Sequence, residues 1–139
     1  MTLTVARTDD FDTCLALRWT VFVEEQSVPE ELERDEHDAT ALHLLATLDG
    51  RPVGTARLLL KGDTGKIGRV CVLRESRGQG IGAALIRAAV EEIKVLGLRR
   101  AKLGSQVHAI PFYEKLGFAA EGPVYDDAGI PHRDMILAL

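Results

Sequence analysis

The sequence predicts one α/β (α+β) domain, in which a mixed, mostly antiparallel sheet is flanked by helices on both faces. Two segments repeat apolar residues with the helical period, and short apolar runs bounded by turn residues suggest strands around them. The length of 139 residues is enough for one core and too short for two ordinary domains, so residues 1–139 form one domain in this interpretation. The predicted order is β-α-β-β-β-α-β-α-β-β.

The first part of the chain predicts a strand and a long helix. Residues 2–6, "TLTVA", alternate as a strand does, and Thr8 or Asp9 can cap a helix that extends to about Gln26. The charge-rich residues 29–40 then predict a solvated loop or an irregular helical turn. The apolar residues that recur at helical spacing, and that we expect to be buried, are Phe11, Cys14, Leu15, Trp19 and Phe22.

The rest of the chain predicts a hairpin followed by alternating helices and strands. The pair Asp49-Gly50 readily takes positive φ and joins two apolar runs as a hairpin does. The remaining elements are predicted, in chain order, as a strand at 66–73, an amphipathic helix from about Gly78 to Leu96, a strand at 99–106, a short helix at 109–118, and strands near 118–125 and 132–139.

Composition narrows the classes of function. The formal net charge of −4 gives no basic surplus for nucleic acid. No apolar run approaches the roughly 20 residues that cross a bilayer, and "MTLTVARTDDF" lacks the pattern of a signal peptide. Cys14 and Cys71 suggest reduced core residues, so we expect a cytoplasmic protein. No His, Cys and Asp grouping has zinc-like spacing, so we expect no metal.

The segment "RESRGQGIGAAL" places Gly78, Gly80 and Gly82 between a strand and a helix. The first N–H groups of a helix have no intrahelical partner and, with the helix dipole, favour an anion. Glycine lets those amides approach phosphate oxygens, and Arg77 adds a charged donor. The pattern therefore predicts a pyrophosphate site, although alternate glycines also permit a tight turn.

Three nucleotide-binding patterns compete for this loop. A P-loop is absent because no Lys-Ser or Lys-Thr follows the glycines. A dinucleotide fingerprint fits Gly78, Gly80 and Ala83, but the next strand ends in "LGSQ" rather than in an acidic residue. The third pattern is a site for the pyrophosphate of CoA.

That third pattern is carried by a resemblance to a known family. "RVCVLRESRGQGIGAALI" resembles the acetyl-CoA-binding motif of the GNAT N-acetyltransferases, [R/Q]-x-x-G-x-[G/A], which Arg77, Gly80 and Gly82 fill. "QVHAIPFYEKLGF" resembles the second motif of that family. "VFVEEQSVPEELERDEHDATALHLL" and "GIPHRDM" resemble an ElaA-like or YjcF-like subgroup. The resemblance spans essentially the whole chain and implies a GNAT-like acyl-CoA N-acyltransferase fold.

The resemblance implies an activity and a set of binding residues. The acetyl group of acetyl-CoA, as co-substrate, would pass to a primary amine of a small molecule by direct attack in a ternary complex. The pantetheine arm would lie between splayed fourth and fifth strands, with the Val72 N–H polarising the thioester carbonyl. Gln106 stands where many relatives have Asn. The residues that the resemblance assigns to the co-substrate are Val70, Cys71, Val72, Arg77, Gly78, Gln79, Gly80, Ile81, Gly82, Gln106 and Phe112.

Two of these matches bear on catalysis. Tyr113 falls on the tyrosine that protonates the departing thiolate in the family, a role that a phenol can fill; alternatively it only packs against the cofactor. Cys71 raises the alternative of a covalent nucleophile, but a cysteine between two valines of a strand is usually an inert small hydrophobe.

The acceptor side depends on the acidic segment. The positions of this segment that match the ElaA-like or YjcF-like subgroup are Glu25, Gln26, Glu33, Asp35, Asp38 and His43. Carboxylates beside a cleft would attract a cationic amine, so Glu33, Asp35 or His43 is a candidate base; alternatively the acids form a solvated loop and His43 is a core residue. His108 and His132 lie near motifs or are turn residues. The alternative function is a CoA-binding regulatory or interaction module without useful turnover. Whether the chain forms a homodimer stays open.

Overall fold

The centre of the computed structural model, which describes residues 2–139, is a sheet of seven strands. The strands are β1 (Leu3–Thr8), β2 (Leu42–Leu48), β3 (Arg51–Lys61), β4 (Thr64–Val72), β5 (Arg100–Gln106), β6 (Ala119–Asp127) and β7 (Ile130–Ala138). Their order across the sheet is β1-β2-β3-β4-β5-β7-β6. Among the strands of residues 2–139, β4 and β5 are the one pair in parallel, so the predicted mixed, mostly antiparallel sheet is confirmed.

Helical segments cover the sheet. They are α1 (Phe11–Arg18), a π-helix (Trp19–Glu25), α2 (Glu30–Glu33), α3 (Ile81–Val95) and α4 (Ile110–Glu114), with 3-10 turns at Glu36–Ala39, Arg74–Ser76 and Val107–Ala109. The order of the predicted elements is confirmed. The π-helix that continues α1 was not specified by the sequence prediction. The helix α2 and the 3-10 turn at Glu36–Ala39 fall in residues 29–40, where an irregular helical turn was one of the two predicted alternatives.

Backbone conformation decides where α3 begins. The prediction started this helix at about Gly78, but Gly78 and Gly80 have φ of +81° and +79°. A right-handed helix cannot include such residues, so α3 starts at Ile81 with Gly80 as its N-cap. The hairpin turn at Asp49-Gly50 is confirmed, with φ of +53° and +80°.

The main core lies between the sheet and α3. The helix buries Leu85, Ile86, Ala89 and Ile93 against apolar side chains of the central strands. Burying an aliphatic side chain of this size contributes about 1.5–3 kcal/mol relative to leaving it exposed. The core therefore fixes the N-terminus of α3 against the end of β4.

The predicted buried face of α1 is wrong in part. Cys14 is buried as expected, but Trp19 is 38% exposed, and Arg18 is buried with only 1% of its surface accessible. The helical period places apolar residues inward only while the helix stays α, and the i→i+5 turn that begins at Trp19 rotates the following side chains. Arg18 turns inward because buried carboxylates bind its guanidinium.

The strands β4 and β5 separate along part of their length and leave an opening between them. The two strands pair only over Thr64–Ile67 and Arg100–Leu103. Beyond this point β4 is irregular opposite Thr55–Arg57, and Arg69 takes a φ of +50°. A bulge of this kind bends a strand and interrupts its pairing. The splayed fourth and fifth strands that the resemblance implied are present.

Candidate active site

A cleft lies where β4 and β5 diverge, with α4 on one side and the end of the π-helix on the other. Strand residues Gly68, Val70, Gly104 and Gln106 line it from the two separated strands. Tyr113 of α4 lines the same cleft. The geometry therefore brings Val70, Gln106 and Tyr113, three of the predicted site residues, around one opening.

The glycine loop lies between the end of β4 and the start of α3. The first helical hydrogen bond of α3 joins the Ala84 N–H to the Gly80 carbonyl at 3.0 Å. The amides of Ile81, Gly82 and Ala83 therefore have no acceptor within the helix. Such a helix N-terminus favours an anion in front of it.

The reason for glycine at position 82 differs from the reason at positions 78 and 80. Gly78 and Gly80 need glycine for their positive φ, whether or not a ligand binds. Gly82 has no positive φ, and a Cβ there would lie at ordinary contact distance, 3.8 Å from the Phe112 ring and 4.0 Å from Val72. Alanine would favour a helix at this position by about 0.5–1 kcal/mol. The fold itself therefore gives no reason for Gly82, whereas a ligand that approaches these amides does.

The Val72 amide points toward the cleft. The next amide along the strand, that of Leu73, donates to the Val53 carbonyl on β3 at 2.8 Å. Neighbouring amides of an extended strand point to opposite sides, so the Val72 N–H is directed away from β3 and toward the opening. This orientation is the one that the predicted role of Val72 requires.

Arg77 has partners that the sequence did not predict. Its Nη1 and Nη2 atoms donate to the Glu25 carboxylate at 2.6 and 2.7 Å, and its Nε donates to the Val72 carbonyl at 3.0 Å. The hydrogen bond from Arg77 lowers the pKa of Glu25. The guanidinium thus joins the end of the π-helix to the end of β4. A direct contact between this side chain and a diphosphate stays a prediction.

Tyr113 is largely enclosed by aromatic rings. Its ring centroid lies 5.0 Å from that of Phe112 and 6.3 Å from that of Phe118, both edge to face. Burial raises the pKa of the Tyr113 phenol. The phenol therefore keeps its proton at neutral pH, as a general acid must.

Cys71 has the environment of an inert thiol. It is 5% exposed and packs with Leu17 and Val21. Burial raises its pKa to about 12. Because the thiolate is the nucleophilic form, this environment opposes the covalent alternative.

The acidic segment forms short helical turns, one of the two predicted alternatives, and it is not a solvated loop, because two of its carboxylates are buried. Glu33 and Asp38 are 3% and 8% exposed, and both bind the Arg18 guanidinium. Asp38 also accepts from Arg57 at 3.0 Å. Burial acts to raise the pKa of Asp38, but the hydrogen bonds from Arg18 and Arg57 outweigh it and lower that pKa to about 2.

Arginine and carboxylate charges balance in this cluster, which we call the ion-pair cluster: Arg18, Arg57, Arg69, Glu33, Asp35 and Asp38. Asp35 pairs with Arg57 at 2.7 Å and with Arg69 at 3.2 Å. Burial acts to raise the pKa of Asp35, and the hydrogen bond from Arg57 together with the neighbouring arginine charges lowers it. Glu33 lines the cleft, but Asp35 lines a separate cavity beside α1. A paired carboxylate with a lowered pKa is a weak base, so the structure does not favour Asp35 in that role.

His43 lies outside the cleft. It is 8% exposed, lines the cavity beside α1, and packs against the Phe11 ring at 5.0 Å. Its Nε2 atom lies 3.1 Å from the Asp38 carbonyl oxygen, while its Nδ1 atom is buried without a partner among residues 2–139. The structure thus favours the core interpretation of His43 over the predicted role as base.

Several cleft residues were not given roles by the sequence. Gln26 ends the π-helix, and its Oε1 atom accepts from Gln106 Nε2 at 3.4 Å. Tyr125 of β6 also lines the cleft, and a Cβ on Gly104 would collide with its hydroxyl. A glycine inside a strand marks a close approach of another group, and this was the available signal for Tyr125.

Within residues 2–139, no group of His, Cys, Asp or Glu side chains could hold a metal ion. Over the same residues, no helix is both long and apolar enough to span a membrane.

Comparisons with known proteins agree on one family. A family model described as an acetyltransferase (GNAT) domain matches residues 8–139. The uncharacterized N-acetyltransferase YjcF of Bacillus subtilis is 36% identical over 121 residues, which cover 86% of this chain and 86% of YjcF. An acyl-CoA N-acyltransferase structure from Pseudomonas aeruginosa is 33% identical, covers 99% of both chains and has a TM-score of 0.87. The Escherichia coli ElaA structure is 28% identical, covers 98% of both chains and has a TM-score of 0.84.

Proposed function

The chain belongs to the GNAT acetyltransferase family, and we propose that it transfers the acetyl group of acetyl-CoA to a primary amine of a small molecule by direct attack in a ternary complex. The subgroup resemblance is confirmed by the similarity to YjcF and ElaA. A GNAT family acetyltransferase from Elizabethkingia anophelis, which shares the fold at a TM-score of 0.75 and 17% identity, was crystallised with acetyl-CoA bound. That structure supports acetyl-CoA as the co-substrate here.

The observation that carries the proposal is the bare backbone at Gly82. Three helix amides without intrahelical partners face a position where the fold tolerates a side chain and the sequence has none. The predicted contacts Phe112 and Val72 lie 3.8 and 4.0 Å from a Cβ built at this position. A diphosphate fits such a cradle because it offers several anionic oxygens to the N–H groups at once.

The chain's own groups supply the chemistry of acyl transfer. The Val72 N–H would donate to the thioester oxygen as negative charge develops on it, and a donor already in place lowers the barrier without reorganising. The Tyr113 hydroxyl would give its proton to the departing sulfur. The cleft between β4 and β5 would hold the pantetheine arm so that both groups meet the thioester.

Isothermal titration of the protein with acetyl-CoA tests the binding step. We expect Gly82→Leu to abolish binding, because its side chain would fill the space in front of the helix amides. Glu91→Leu, on the exposed part of the same helix, is the matched control and should bind as the unmodified protein does. Circular dichroism checks that both variants fold. An unmodified protein that binds no acetyl-CoA at near-millimolar concentration contradicts the proposal.

A second candidate function is a CoA-binding regulatory or interaction module without useful turnover. The ion-pair cluster favours it, because the carboxylates that the sequence offered as bases are bound to arginines. Tyr113 in the cleft favours the enzyme. Detection of free CoA thiol with a panel of primary amines separates the two functions. The module would bind acetyl-CoA and release no thiol with any amine.

Three further expectations accompany this proposal. Residues 1–139 as one GNAT domain, a cytoplasmic location and the absence of metal, membrane and nucleic-acid partners stay predictions from the sequence. The ion-pair cluster, being balanced in charge, gives no support for a polycationic acceptor in particular.

A further inference from the structure

His132 lies in the cleft beside a residue that the resemblance assigned to acetyl-CoA. It belongs to β7 and pairs directly with Gln106, the last residue of β5. Directly paired residues of antiparallel strands project their side chains to the same face of the sheet. Both side chains line the cleft, as does Tyr113. His132 is therefore placed in the same opening as the proposed acid.

The hydrogen bond of His132 fixes which ring nitrogen carries the proton. Its Nδ1 atom lies 2.7 Å from the Ile130 carbonyl oxygen. A carbonyl oxygen can only accept a hydrogen bond, so Nδ1 must be the protonated nitrogen. In the neutral imidazole the other nitrogen, Nε2, then has a free lone pair. A ring oriented by one nitrogen with the other free is the arrangement of a general base.

The surroundings hold the ring in this orientation. Tyr125 stacks on it with centroids 6.1 Å apart and an interplanar angle of 24°. The Tyr125 hydroxyl in turn donates to Asp134 at 2.8 Å. Asp134, two residues along β7 and so on the same face, is paired with Lys102 at 3.5 Å. The charged residues that line the cleft together with His132 are Glu33, Arg57, Lys66, Arg69 and Asp127. Gln106, which pairs with His132 from β5, and Gln26, which accepts a hydrogen bond from Gln106, are neutral.

We propose that His132 is the general base that takes a proton from the ammonium group of the acceptor through its Nε2 atom. This rests on the proposed function. The neutral amine attacks the thioester carbon, a C–N bond forms and the C–S bond breaks. Tyr113 protonates the departing sulfur and regains a proton from the amide nitrogen. Of the two protons that the ammonium loses, one ends on the CoA thiol and one passes from His132 to solvent.

Nitrogen NMR tests the geometry without turnover. In protein labelled with ¹⁵N-histidine, we expect neutral His132 to carry its proton on Nδ1. His43, whose Nε2 atom faces the Asp38 carbonyl, should carry its proton on Nε2 and provides an internal contrast. The spectrum of His132→Asn assigns the resonance. A proton on Nε2 of neutral His132 would overturn the proposal.

Kinetics test the chemistry. His132→Asn keeps a donor for the Ile130 carbonyl but removes the base, so we expect kcat/KM to fall about 10²-fold or more. Binding of acetyl-CoA should not change, and the loss of activity at low pH that reflects protonation of the base should disappear. With a fluorinated or aromatic amine, which is already neutral at the assay pH, the deficit should shrink. His108→Asn, in an exposed turn, is the control and should match the unmodified protein.

The outcomes separate this inference from the proposed function. Turnover by His132→Asn within threefold of the unmodified protein, or a low-pH limb that survives in it, would refute the role of His132 and leave the acetyltransferase intact. An unmodified protein that binds no acetyl-CoA and acetylates no amine would refute the proposed function, and the base with it, even where the NMR tautomer is as expected. A deficit that is equal for cationic and neutral amines would indicate a structural role and overturn the base.

Discussion

The ion-pair cluster gives the sharpest test of how this fold is held together, and Asp38 is the residue to change. Asp38→Asn removes the charge that three hydrogen bonds share, from Arg18 at 2.8 and 3.1 Å and from Arg57 at 3.0 Å. Because both arginines stay buried, two guanidinium groups lose their shared counter-charge. Breaking one partner of a buried pair costs about 3–5 kcal/mol of unfolding free energy. This is a large fraction of the roughly 5–15 kcal/mol that stabilises a typical domain.

The assay is urea denaturation at pH 7, followed by circular dichroism and fitted by linear extrapolation. Asp12→Asn, an exposed carboxylate in the first turn of α1, is the matched control and should cost less than about 1 kcal/mol. If Asp38→Asn also costs less than about 1 kcal/mol, the ion-pair cluster does not anchor residues 30–39, and the argument from its geometry is wrong. A variant that is as stable as the unmodified protein but inactive would refute it more directly, because it would make Asp38 catalytic.

Three further outcomes are expected. The folded-state pKa of Asp38, about 2, lies below its ordinary value of 3.8. The charged Asp38 therefore contributes about 2 kcal/mol to the unfolding free energy above pH 4, and this contribution is lost as pH falls from about 4 to 2. Measurement of the unfolding free energy along an acid titration tests this. Tyr113→Phe should lower kcat about 10²-fold while acetyl-CoA affinity in titration stays the same; unchanged kcat would remove Tyr113 from the acid role. With a pKa of about 12, Cys71 should react with iodoacetamide at pH 8 at least 10³-fold more slowly than the urea-unfolded chain, as labelling mass spectrometry would show; equal rates would contradict its burial.

The sequence predicted correctly those elements whose conformation depends on neighbouring residues in the chain. The hairpin at Asp49-Gly50 follows from residues that accept positive φ, a property of the residue itself, and the same property of Gly78 and Gly80 moves the start of α3 from the predicted Gly78 to Ile81. The helical repeat of apolar residues in α3 also predicted a buried face correctly, because the helix packs one continuous face on the sheet. The parallel pairing of β4 and β5, in contrast, was available only through the resemblance to the family.

The errors arose where distant residues meet. Neither alternative for the acidic segment, a cleft lined by free carboxylates or a solvated loop, included buried ion pairs, because the partner of Asp38 lies 20 residues away at Arg18, on a helix whose turn changes at Trp19. Neither the pairing nor the π-turn is visible in a hydrophobic period of 3.6. The same limit applied to His132, whose role depends on a carbonyl two residues away and on the pairing with Gln106.

Three members of the ion-pair cluster, Glu33, Arg57 and Arg69, also line the cleft, and this connection decides how variants of the cluster and of the cleft should differ. Arg69 lies in the bulge where β4 leaves β5, and it donates to the Leu32 and Glu33 carbonyls at 3.1 and 3.0 Å. Loosening the cluster should therefore shift the wall of the cleft and weaken binding of acetyl-CoA and of the acceptor. It adds or removes no group that exchanges a proton with the amine, so the pH dependence of kcat/KM should keep its shape in Asp38→Asn. His132→Asn should have the opposite effects. Loss of the base should change the shape of the pH dependence of kcat/KM, while the affinity for acetyl-CoA should stay the same.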